Sequence, residues 1–141
     1  MRFVDTSFLV ALRFARDGHH EEAATLWLAE LQSLVTTNHV LGESWAFLRR
    51  RLGHERAWPF VNAALNSSKL TVHHVEENTE QAAWDWLARH DERPYSFVDA
   101  TSFATMRRLR LTEALAFDGD FSAAGFIEVR PRSSALKPPQ T

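Results

Sequence analysis

Short apolar runs alternate with apolar residues at helical spacing along this chain, and their order predicts an α/β domain. Arg2 to Asp5 reads as a short strand. Phe8, Leu9, Leu12 and Ala15 then mark a helix over Ser7 to Arg16, stopped by Asp17-Gly18. A second amphipathic helix is expected over about His20 to Gln32, then a strand at Leu34 to Thr37. The third helix, Val40 to Leu52, carries Leu41, Trp45, Leu48 and Leu52 on one face and stops at Gly53. Glu55 to Leu65 predicts a fourth, in which Pro59 implies a kink or a later start because proline removes a backbone donor. The remaining elements are a strand at Leu70 to Val75, a helix at Thr79 to His90, a loop over Glu92 to Tyr95 and a helix at Phe97 to Leu109. Strands at Glu113 to Phe117 and near Ile127 to Val129 complete the pattern.

Strands separated by helices imply parallel pairing, because parallel neighbours need long crossovers. The expected fold is a three-layer α/β/α domain over residues 1–130 with a central parallel sheet of four to five strands. Residues 131–141, with Pro138-Pro139, are expected to form a disordered tail. A length of 141 residues suits one domain, and a hydrophobic share of 45% is enough for an ordinary core.

A net charge of -2 provides no global basic field, so any contact with nucleic acid has to be local. The absence of cysteine excludes disulfides and cysteine-based zinc sites. No stretch approaches the roughly 20 apolar residues of a membrane span, and Asp5 interrupts the apolar N-terminal segment where a secretory signal would be continuous. The expectation is a cytoplasmic protein without a membrane partner.

Four carboxylates stand at places where chemistry and ordinary structure compete. Asp5 ends the first strand in FVDTS, where it also suits a helix N-cap. Glu43, in VLGESWAF, is expected in the first turn of the third helix, where a negative charge also complements the helix dipole. Asp99 closes the capping-box pattern Ser96-Phe97-Val98-Asp99. Asp118 ends the apolar run of ALAFDGDF, and Asp120 follows after a glycine, which equally describes a strand and a turn.

Taken together, Asp5 and Asp118 end strands while Glu43 and Asp99 begin helices, all near the carboxyl edge of the expected sheet, where open α/β sheets bind ligands. Converging carboxylates repel one another unless protonated or neutralised, and a divalent cation is the natural partner. An oxygen-only donor set points to Mg²⁺, with Mn²⁺ as a substitute, and to phosphodiester hydrolysis.

These motifs in this order, VDTS, Glu43 after a short strand, SFVDATSFA and FDGDF, resemble the PIN-domain ribonucleases. Length and layout are most similar to the VapC-like toxins of type II toxin–antitoxin systems. The resemblance implies a Mg²⁺- or Mn²⁺-dependent endoribonuclease in which Asp5, Glu43, Asp99 and Asp118 hold the ion and activate water. Asp120 is a further ligand or an outer support. It also implies an RNA substrate, a homodimer and a cognate antitoxin protein that blocks the site. Ser7 matches the hydroxyl or amide side chain that the family places two residues after its first Asp. Ala116 departs from the family, which often has Thr or Ser there.

Arg49, Arg50 and Arg51 form the densest basic run, followed by Arg107, Arg108 and Arg110. Solvated helix surface explains both, and both suit local RNA phosphate contacts. The histidine pairs His19-His20 and His73-His74 show no shared pattern that favours metal binding. The five tryptophans read first as core or dimer contacts. Asp-Gly-Asp after a strand also fits a haloacid dehalogenase-type phosphatase, but little chain remains after it for that family's later groups. A phosphoacceptor signalling domain would need a lysine that neither Lys69 nor Lys137 supplies. A PIN-like RNA-processing or RNA-binding domain that is not a toxin is the nearer alternative.

Overall fold

The computed structural model describes residues 1–132; residues 133–141, most of the expected tail, lie outside the described residues. Five strands, β1 (Arg2–Val4), β2 (Leu34–Thr37), β3 (Leu70–His73), β4 (Glu113–Leu115) and β5 (Ile127–Glu128), pair in parallel in the order β3-β2-β1-β4-β5. Strand order reverses beside β1. The paths β1 to β2 to β3 run one way across the sheet and the return to β4 and β5 runs the other, so right-handed crossovers place helices on both faces.

Seven helices supply those layers: α1 (Thr6–Arg13), α2 (His20–Ala29), α3 (Asn38–Leu52), α4 (His54–Leu65), α5 (Glu77–Arg89), α6 (Phe97–Leu109) and α7 (Asp120–Ala123). The central strands are the driest part of the molecule, with Phe3, Val4, Ala114, Leu115 and Ala116 fully buried. Such continuous apolar runs belong to strands covered on both faces. Against them packs an aromatic ladder in which Trp86, Tyr95, Phe103, Phe121 and Phe126 meet at centroid distances of 4.8–6.4 Å. This ladder ties α5, α6 and α7 together on their side of the sheet.

The boundaries differ from the sequence expectation in instructive ways. Helix α1 ends at Arg13, not Arg16, because Phe14 turns extended, and α2 stops at Ala29 instead of Gln32. Strand β3 ends at His73 and β4 at Leu115, each two residues before its expected end. Helix α4 starts at His54, before Pro59 and not after it: the ring falls within the sixth helical position, and only one backbone bond is forfeited. Helix α3 starts at Asn38, with Thr37 as the N-cap accepting from the Val40 amide, so Glu43 lies in its second turn rather than its first. Helix α7 was not expected at all, since four residues are too few to show a period. Trp86 is buried as expected, whereas Trp58 and Trp84 are about half exposed and are not core residues.

Candidate active site

Pairing in the middle of the sheet brings the first and last acidic motifs together. Val4 is level with Leu115, so the residues that follow each strand, Asp5 and then Phe117-Asp118, emerge side by side at the carboxyl edge. The Asp5 amide continues the ladder by donating to the Leu115 carbonyl at 3.1 Å. Asp5 is also the N-cap of α1: its Oδ2 accepts from the Ser7 amide at 3.1 Å and the Ser7 hydroxyl at 2.7 Å. The cap and the functional reading of Asp5 are therefore compatible.

Ser7 makes a further contact that binds the two strands' ends. Its Oγ accepts from the Phe117 amide at 2.9 Å while donating to Asp5, so a single hydroxyl fixes the Asp5 carboxylate against the segment that carries Asp118. Ala116, just past β4, brings no side-chain hydroxyl at that level; Ser7 supplies one from the first turn of α1.

Asp99 reaches the same edge from the start of α6. The capping box forms as its sequence predicts: Ser96 Oγ accepts from the Asp99 amide at 2.9 Å, and Asp99 Oδ2 accepts from the Ser96 amide at 3.0 Å. Beyond β4, Gly119 adopts φ +82°, a left-handed turn that glycine enters without steric cost. This turn lets the Asp120 amide donate to Asp118 Oδ1 at 3.1 Å. Oxygens of Asp99, Asp118 and Asp120 thereby lie within 4.8 Å of one another. Each of Asp5, Asp99, Asp118 and Asp120 is anchored through one oxygen, and the other oxygen has no hydrogen-bond partner among the described residues.

Electrostatics reflect the crowding. Burial pushes the Asp5 carboxyl up to about 8, and the neighbouring Asp118 and Asp99 charges push the same way against the bonds from Ser7. Asp99 is raised to about 6, first by burial and then by Asp118 and Asp120, with the Ser96 bonds opposing. Asp118 is raised as well, again by burial first, despite the Asp120 amide. A cation among these groups would remove the repulsion and favour their ionised forms. The donor set is oxygen only, as hard divalent ions require.

Glu43 lies off this cluster. It lines an open cleft of about 430 Å³ together with Asp5, Ser7, His19, Phe117 and Asp118, half-buried across from the strand ends. The structure thus brings Asp99, Asp118 and Asp120 together, sets Asp5 beside them close enough to feel the Asp118 and Asp99 charges but outside that 4.8 Å group, and places Glu43 on the facing wall. Of the two basic runs, Arg49, Arg50 and Arg51 are exposed on α3, and Arg51 stacks over Phe47, a residue of the cleft wall, at 5.0 Å. Arg107 and Arg108 lie some two turns or about 12 Å along α6 from Asp99. Arg107 packs over Trp86 and Phe126, and Arg108 bonds to Asn78 and Thr79, so neither is brought to the carboxylates.

Three groups at the site carry no clear signal in the sequence. Arg93 donates from Nε to Asp120 at 2.9 Å and from Nη2 to the Asp118 carbonyl at 3.4 Å. His19 stacks flat on Phe117 at 4.5 Å, forming a wall of the cleft. Arg130 donates to the Ala116 carbonyl at 2.7 Å and lies over the Phe117 ring at 4.8 Å. All three depend on contacts far apart in the chain, where neither periodicity nor a local motif gives notice.

A family model for the PIN domain matches residues 2–127. The chain is 56% identical over 131 residues to VapC20 of Mycobacterium tuberculosis, a 23S rRNA-specific endonuclease, in strains CDC 1551 / Oshkosh and ATCC 25618 / H37Rv; the match covers 93% of this chain and 99% of the relative. The crystal structure of that organism's VapC20, a Sarcin-Ricin loop cleaving toxin, superposes with a TM-score of 0.89 at 54% identity, covering 93% of this chain and all of the other. A toxin–antitoxin complex from Klebsiella pneumoniae shares the fold at a TM-score of 0.56 and 18% identity, over 81% of this chain and 83% of that one. The family match spans nearly the whole described domain, and the chain belongs to the PIN-domain family.

Proposed function

We propose that this protein is a metal-dependent endoribonuclease, the toxin of a toxin–antitoxin pair, and that its substrate is 23S rRNA. The observation that carries the chemistry is the set of four carboxylates, each held by the protein through one oxygen and leaving the other without a protein partner. Asp5, Asp99 and Asp118 are the proposed ion ligands, Mg²⁺ being the proposed ion with Mn²⁺ able to replace it. When bound, the ion supplies charge neutralisation at the phosphate and makes water a stronger nucleophile near neutral pH.

The chain's own residues do the positioning. Ser7 holds the Asp5 carboxylate and the backbone before Asp118 in one arrangement, and the Ser96 capping box holds Asp99. Glu43, on the facing cleft wall with no hydrogen-bond partner for its carboxylate among the described residues, is the group proposed to accept a proton from the attacking water or to hold that water through a hydrogen bond. Exposed Arg49, Arg50 and Arg51 are proposed RNA backbone contacts, since guanidinium groups pair well with phosphate. The identity to VapC20 supports the rRNA substrate, and its toxin description supports a cognate antitoxin partner; a homodimer is proposed on the family resemblance alone. No helix among the described residues is long and apolar enough to cross a membrane.

Two arms test the proposal. Purified protein is incubated with intact ribosomes and with free 23S rRNA, with Mg²⁺ or with chelator, beside Asp99→Asn. Ion-dependent scission at one site by the wild type alone is expected, and undiminished cleavage by Asp99→Asn would sink the site assignment. Inducible expression in a bacterial host separates the toxin from an RNA-processing enzyme: growth arrest with the wild type and not with Asp99→Asn supports the toxin.

A further inference from the structure

Arg93 is the one guanidinium hydrogen-bonded to any of the four clustered carboxylates among the described residues. It comes from the loop between α5 and α6, far in sequence from its partner. The group spans the turn after β4: Nε bonds Asp120 Oδ1 at 2.9 Å and Nη2 reaches the Asp118 carbonyl at 3.4 Å. A Cβ on Gly119 would stand 3.5 Å from that same Nη2, so the guanidinium lies directly on the turn. The geometry gives Asp120 a partner that Asp5, Asp99 and Asp118 lack, since those three are anchored only by neutral amides and a hydroxyl.

This asymmetry matters for how many ions the site can take. A cation already paired with Asp120 lowers the attraction of that carboxylate for a second positive ion and repels one placed beside it. We propose that Arg93 is a built-in counter-ion that withholds Asp120 from the metal, making the centre a one-ion site on Asp5, Asp99 and Asp118. In a two-ion phosphodiesterase the second ion stabilises charge on the phosphate. Arg93, held on Asp120 with a side chain 40% exposed, keeps one fixed positive charge beside the carboxylates without a second ion.

The inference rests on the proposed metal centre, and a binding experiment separates the two. Mn²⁺ is titrated into the metal-free full chain, with bound ion counted by calorimetry and by the loss of the free-ion paramagnetic signal. The wild type, Arg93→Ala, Arg93→Lys, Asp118→Asn and Asp120→Asn are compared after their thermal melts have been matched. One ion per wild-type chain is expected. Asp118→Asn is to weaken it by about ten-fold or more and Asp120→Asn by less than about three-fold, on the scale seen for lost metal-site groups. Arg93→Ala is to admit a second ion, and Arg93→Lys, which keeps the charge, is to stay at one. Two ions on the wild type, an equal loss from Asp118→Asn and Asp120→Asn, or unchanged stoichiometry in Arg93→Ala each overturns the role of Arg93. No Mn²⁺ on any variant overturns the metal centre itself and the inference with it.

Discussion

Ser7→Ala removes a hydroxyl that serves two strands at once. In the native site Oγ donates to Asp5 Oδ2 at 2.7 Å and accepts from the Phe117 amide at 2.9 Å, next to a carboxyl group only 1% exposed. Alanine leaves that part-buried amide without its acceptor, at about 1–3 kcal/mol, and deletes a bond to Asp5 worth about 1 kcal/mol. The expected loss is about 2–4 kcal/mol. At about 2–4 °C per kcal/mol for a domain near this size, Tm falls by roughly 5–15 °C. The same change lets the Asp5 carboxylate rotate, so Mn²⁺ affinity is expected to drop by about 10- to 100-fold, as for other groups that orient metal ligands. Melts of the metal-free protein at pH 6 give the first number and Mn²⁺ titration the second. A variant with unchanged Tm and unchanged affinity would refute the bridging role, and a lower Tm with unchanged affinity would confine Ser7 to structure.

Other expectations follow from the same geometry. In the metal-free protein Asp5 and Asp99 keep their protons to higher pH when folded than when unfolded. The stability they contribute is thus full below about pH 4 and is lost as pH rises towards 8. Melts should show a falling Tm between pH 5 and pH 8, with Mg²⁺ or Mn²⁺ raising Tm more at pH 8; a flat profile would contradict the burial of these carboxyls. Asp99→Asn keeps an amide oxygen for the Ser96 N–H but removes the charge, so circular dichroism should show an intact fold with a metal-free Tm no lower than wild type at pH 8, while RNA cleavage falls by at least about 100-fold. Arg108→Ala breaks bonds to Asn78 and Thr79 that tie α6 to α5, so it should cost about 0.5–1.5 kcal/mol in denaturant melts and leave the cleavage rate within about three-fold.

Much of the frame could be read from the chain because it is local. The run Phe3-Val4 and the run Ala114-Leu115-Ala116 are apolar without interruption, as strands covered on both faces must be, and Ser96 to Asp99 spells out its own helix start. Strand β2 and helix α6 have the expected bounds. Glu43 departs from its expected turn: its helix begins earlier than the apolar pattern suggests because Thr37, the last strand residue, doubles as the cap, which moves Glu43 into the second turn and onto the cleft wall. The Asp120–Arg93 pair spans 27 residues, and the Ser7–Phe117 bond spans 110. Such contacts are products of strand register and crossover path, and a single sequence read by local pattern carries no trace of them. The glycine between Asp118 and Asp120 is legible as a turn, but the turn's use, aiming the Asp120 amide at Asp118, appears only in the fold.

The central claim is that Asp5, Asp99 and Asp118 form an ion site that cleaves RNA, and the most direct measurement is the rate of 23S rRNA scission as Mg²⁺ is titrated into metal-free wild type and Asp118→Asn. The account predicts no cleavage without the ion, a saturable rise for the wild type, and a curve for Asp118→Asn displaced to at least about ten-fold higher Mg²⁺ with a lower plateau. Cleavage by the wild type in excess chelator, or superimposable curves for the two proteins, would contradict it.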